Sequence, residues 1–165
     1  MSEGWIRVLA DDERTRDGAR LRVAEATARK ARLVASHAQQ LLDDLHTAVV
    51  RDIEAFRSEF PGDAARAILF EPVQPDGGFV VRKPECPTAS LSVTPHLAAA
   101  SVSCRYRFTA TGGLPPREDR VEFVLAGDGG DDTLHIKDRD TGHVFTNADA
   151  LSEFLLVPVL TGRPR

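Results

Sequence analysis

The chain has 165 residues, is 42% hydrophobic and 28% charged, and carries a formal charge of −4. That length and mixed charge suffice for a core without disulfides or metal, which excludes wholesale disorder and points to one domain. No apolar run approaches the ~20 residues of a transmembrane helix, so no membrane partner is expected, and the negative net charge argues against a dedicated nucleic-acid binder.

The opening residues, Met1-Ser2-Glu3-Gly4-Trp5, show neither a basic nor an apolar leader segment. Two cysteines, Cys86 and Cys104, do not make a disulfide framework. A soluble cytoplasmic protein is the expectation. Arginine outnumbers lysine 18 to 3 and alanine reaches 21 copies, which reads as the codon bias of a GC-rich genome before it reads as phosphate binding.

The chain divides near Pro61-Gly62. All ten prolines and ten of the twelve glycines lie from Pro61 onward, interleaved with short β-rich runs. Residues 1–62 read as a helical segment, and residues 63–165 as an antiparallel sheet with a final helix. The expected fold class is therefore α+β.

The predicted helix starts near Asp11-Asp12-Glu13, where acids suit the positive end of a helix dipole, and ends at Phe60. Leu21, Ala24, Ala28, Ala31, Ala35, Ala38, Leu42, Leu45 and Val49 recur at steps of three and four. Such a helix would approach ~75 Å, far beyond the ~15 Å radius of gyration of a compact domain of this size. It must protrude or break, with Gly18 as the weak point. The stretch from Leu42 to Phe60 carries large apolar residues suited to covering a sheet. The stretch from Ala24 to Ala38 is nearly all alanine, which permits close helix approach but buries little area.

Six strands are predicted: 66–71, 79–83, 89–94, 101–109, 120–126 and 133–137, with Val144–Phe145 as a possible seventh. Short Gly- and Pro-rich connections favour antiparallel hairpins. Val102, Cys104, Tyr106 and Phe108 alternate with polar residues, as do Val121, Phe123 and Leu125, so one sheet face is expected to lie under a helix. A last helix is predicted from Asn147 to about Val157, where Pro158 stops it.

No catalytic constellation emerges. Cys104 alternates inward as a buried hydrophobe, and Cys86 sits in a Pro-bounded loop with only Lys83 nearby. The five histidines form no metal-spaced pair; His135 and His143 flank a turn and would face each other across a hairpin beside Asp138 or Asp140. The loop from Gly127 to Asp132 has a calcium-loop composition, but the twelfth position from Asp128 is Arg139 rather than Glu. No phosphate-binding glycine motif occurs. No cofactor, metal or catalytic residue is assigned, and the balance leans away from an enzyme.

Two features stand out. Residues 14–32 carry a net +5 and residues 43–63 a net −4. Antiparallel pairing of two such helices would oppose these charges, with Leu21, Ala24, Ala28, Ala31, Ala35, Ala38 and Leu42 as the contact stripe. The second is a polar sheet face of Ser90, Ser92, Thr94, Ser101, Ser103, Arg105 and Arg107, which would take an anion or a partner through Arg105 and Arg107, or equally pair one of these guanidinium groups with Glu122. The functional expectation is a non-enzymatic interaction or self-assembly module, whose partner is itself or another protein. The alternative is a small-ligand or enzyme site between sheet and helices or on the Arg105/Arg107 face. A weaker one is anion or nucleic-acid contact through Arg20, Arg22, Arg29 and Arg32, which lack the interleaved aromatics of a single-strand binder.

Overall fold

The structure is a computed structural model, and it describes residues 3–109, 112–127 and 134–165. A 57-residue helix, α1 (Glu3–Glu59), leads into seven strands: β1 (Leu69–Val73), β2 (Gly78–Lys83), β3 (Ala89–His96), β4 (Ser101–Phe108), β5 (Arg117–Gly127), β6 (Leu134–Asp138) and β7 (Val144–Phe145). The helix α2 (Ala148–Thr161) follows. The sheet is an uninterrupted antiparallel meander in the order β1-β2-β3-β4-β5-β6-β7.

Period-2 alternation puts one apolar set on the inner sheet face. Phe79, Val81, Leu91, Val93, Val102, Cys104, Tyr106, Phe108, Phe123, Leu125 and Ile136 are buried there. Leu42, Leu45, Val49 and Ile53 of α1 and Leu151, Leu155, Leu156 and Val159 of α2 join the same cluster. One core thus draws on both sides of the Pro61-Gly62 break. Polar contacts tie the two helices together. Ser152 donates to Asp52 at 2.7 Å, and Arg51 bridges Asp52 and Asp149 at 2.9 Å each.

Three expected boundaries are corrected. The first helix begins at Glu3, not near Asp11, and passes through Gly18 unbroken. Asp11, Glu13 and Asp17 serve as i,i+3 partners of Arg14, Arg16 and Arg20, at 2.7, 2.9 and 3.5 Å, rather than as cap residues. The first strand begins at Leu69 because Asp63 caps a 3-10 turn at Ala64–Arg66, its side chain accepting from the Ala65 amide. The last helix begins after its Asn147 cap but runs past Pro158 to Thr161. Pro158 has no N–H for the Phe154 carbonyl; the Arg165 guanidinium donates to that carbonyl instead. The strand count is seven rather than six because Val144–Phe145 pairs with β6. The predicted strand start at Thr133 and the acidic loop from Asp128 to Asp132 lie outside the described residues.

Candidate functional site: an exposed helical arm

Val34 is the first buried residue along α1, so residues 4–33 carry their side chains outside the core. At 1.5 Å per residue, residues 3–33 form an arm of roughly 45 Å. Of the predicted stripe, Leu21, Ala24, Ala28, Ala31 and Ala35 are exposed, whereas Ala38 and Leu42 are buried in the chain's own core. The stripe is therefore divided between an outward-facing and an inward-facing half. The acidic half of α1 cannot offer its Ala38–Leu42 face to another helix.

The arm also carries large apolar residues that lie before the predicted helix start. Trp5 is 62% exposed, and Ile6, Val8 and Leu9 are exposed beside it. Further along, Val23 is 67% exposed. Their spacing, apolar at 5, 6, 8 and 9 with no breaker before Asp11, is the signal that extends the helix to Glu3. Ile6, Leu9, Glu13, Asp17, Arg20, Ala24, Ala28, Ala31 and Ala35 then form a single line at steps of three and four. The line enters the core at Ala38.

At the foot of the arm, Thr27, Lys30, Ala31, Val34 and Ala35 face the 3-10 turn Leu97–Ala99 and Ala100. Together they line an open, mainly apolar groove of about 570 Å³. Alanines on both walls, Ala31 and Ala35 on α1 and Ala98 to Ala100 opposite, leave the space.

The arm's basic residues divide into two groups. Arg14, Arg16 and Arg20 have acidic neighbours on the helix. Arg22, Arg29 and Arg32 are exposed and make no ion pair among the described residues. Arg105 and Arg107 lie on the outer face of the sheet, opposite the face that α1 covers. No single surface gathers the arm arginines with the sheet arginines. On that outer face Ser103 donates to Glu122 at 2.8 and 3.0 Å. Arg105 pairs with Glu118 at 3.2 Å, not with the expected Glu122, and Glu118 also takes Arg120 at 3.2 Å. The carboxylates of the sheet offset much of its own positive charge.

Between α1 and the β1–β2 turn an open cleft of about 360 Å³ is lined by Gln39, Asp43, His46, Thr47 and Gln74, while core side chains pack the middle of the sheet–helix interface. Cys104 is buried there, and burial pushes its thiol well above the ordinary range. Tyr106 donates to the Leu155 carbonyl at 2.7 Å, and burial raises its hydroxyl too. Both groups stay neutral and packed. His135 and His143 do not meet: His135 pairs with Ala126 in register on the outer face, whereas His143 lies edge-on to the inner-face Phe145, with ring centroids 4.6 Å apart. Among the described residues, no group of three or more His, Cys, Asp or Glu is placed to hold a metal ion. No described helix is long and apolar enough to cross a membrane.

No family model matches this chain, and no curated protein or solved structure matches it.

Proposed function

We propose that the chain is a cytoplasmic self-assembly module whose helical arm, residues 3–33, docks on a second copy. The observation that carries this reading is the exposed apolar surface of the arm. Trp5, Ile6, Val8, Leu9, Leu21 and Val23 stand in solvent on the arm. A helix of this kind gains most of its stability from packing an apolar face, so a solvated arm lacks its main support. A partner surface supplies it. The buried Cys104 and Tyr106, kept neutral by burial, favour assembly over catalysis. Two free thiols agree with a reducing compartment.

Trp5 is the only tryptophan and so reports on the arm directly. Its emission is measured from nanomolar to high micromolar chain. Docking moves the emission to shorter wavelength as concentration rises. Solvent-like emission throughout that range would contradict self-assembly through the arm.

A further inference from the structure

We infer that two arms pair antiparallel about a two-fold axis beside Gly18–Ala19, and that each apolar tip, Trp5 to Leu9, docks in the partner's groove between Ala31–Ala35 and Leu97–Ala100. The inference rests on arm-mediated self-assembly and gives it a register and a site.

The line of residues along the arm carries the register. Its positions pair with one another when residue numbers sum to 37. Ile6 then meets Ala31, Leu9 meets Ala28, Glu13 meets Ala24, and Asp17 meets Arg20, each contact occurring twice by symmetry. Large side chains oppose small ones at both ends, which allows close helix approach. Opposite charges meet at the centre. Asp17 and Arg20 already lie 3.5 Å apart within one helix, so two such pairs would form a four-membered alternating cluster across the axis. Glu13 falls one turn from the partner's Arg20.

A parallel, in-register pair would instead set Glu13 on Glu13, Asp17 on Asp17 and Arg20 on Arg20. Like charges at these positions oppose that arrangement. The antiparallel register also brings the tip to residues 28–32 of the partner, where the groove of about 570 Å³ begins. Trp5 and Ile6 sit over its mouth. An aromatic anchor in a desolvated pocket is the usual source of interface energy. The same pairing needs no contact from the outer sheet face.

Interchain disulfide trapping in the full chain tests the register. Leu9→Cys and Ala28→Cys are combined in a Cys86→Ser background. Within one helix these positions are roughly 28 Å apart, beyond the ~7 Å limit for Cα atoms of a disulfide, so every 9–28 bond joins two chains. The expected product is a covalent dimer with two 9–28 bonds, mapped by mass spectrometry. Ala98→Glu, on the exposed groove wall, should weaken the dimer about tenfold or more. A 9–9 bond, or a dimeric mass with no 9–28 bond, overturns the antiparallel register but leaves arm-mediated assembly standing. Unchanged affinity in Ala98→Glu overturns docking in the groove. A single-chain mass at all concentrations overturns both readings.

Discussion

The guanidinium of Arg165 donates to the Phe154 carbonyl, and its central carbon lies 3.5 Å from the centre of the Phe154 ring. This is the carbonyl that Pro158 leaves without an amide partner, so a side chain from beyond the helix replaces the missing backbone donor. The replacement lets α2 keep Val159 in the core, one turn beyond Leu155 and Leu156.

The two residues should therefore be coupled energetically. Arg165→Ala costs about 1 kcal/mol when Pro158 is present, the usual worth of one hydrogen bond. In a Pro158→Ala background the amide at position 158 serves Phe154, and the same change costs less. A double-mutant cycle by chemical denaturation should give a coupling of about 0.5–1 kcal/mol. Equal costs in both backgrounds would show that Arg165 acts only through its stacking on the ring.

Gly162 ends α2 with φ +67, and a Cβ there would lie 2.5 Å from the Pro87 carbonyl oxygen. The loop carrying Pro87 is held from the other side by the buried Lys83, which donates to the carbonyls of Glu85 and Pro87 at 2.8 and 3.1 Å. The clash cannot be relieved by moving a flexible side chain. Gly162→Ala should destabilise the fold by about 1–3 kcal/mol. Calorimetry should show the melting temperature falling by about 2–4 °C per kcal/mol. An unchanged melting temperature would mean that the α2 terminus and the Pro87 loop shift apart freely.

Tyr106 and Cys104 should make stability fall at alkaline pH. Both are raised in the folded state, chiefly by burial. The folded chain therefore holds their protons at a pH where the unfolded chain releases them. Stability from these groups is complete below the unfolded pKa values, about 8.5 for Cys and 10 for Tyr. It falls above them by about 1.4 kcal/mol per pH unit per group. Denaturation from pH 7 to 11 should show this decline. Tyr106→Phe should remove the tyrosine share of the slope while costing about 1 kcal/mol at neutral pH for its bond to Leu155. A slope unchanged by Tyr106→Phe and Cys104→Ala together would place the alkaline sensitivity elsewhere.

The α+β class and the buried sheet face were legible because period-2 alternation is strong in β4, β5 and β6. Val102, Cys104, Tyr106 and Phe108 all lie where that alternation places them. The large apolar half of the α1 stripe was legible for the same kind of reason, at period 3.6. The helix start was misplaced because Asp11, Asp12 and Glu13 resemble a cap, while Asp11 and Glu13 instead pair with the arginines three residues onward. The helix end at Pro158 was misplaced because the donor that rescues Phe154 comes from Arg165, a contact with no local pattern. The arm tip was missed with the helix start, and the groove could not be foreseen because it joins α1 to Leu97–Ala100 across a long sequence separation. Strand register, which alternation alone does not fix, sets Arg105 opposite Arg120 between Glu118 and Glu122, and Glu122 is held by Ser103 directly across from it.

The most direct test of arm-mediated assembly is the molar mass of the full chain by light scattering across a concentration series, beside an Ile6→Glu, Leu9→Glu variant. Both substituted residues are exposed in the single chain, so the variant leaves the core intact. The account predicts twice the 18.0 kDa chain mass for the natural sequence at high concentration and the single-chain mass for the variant. A natural chain that keeps its single mass throughout, or a variant that still forms dimers with unchanged affinity, would contradict it.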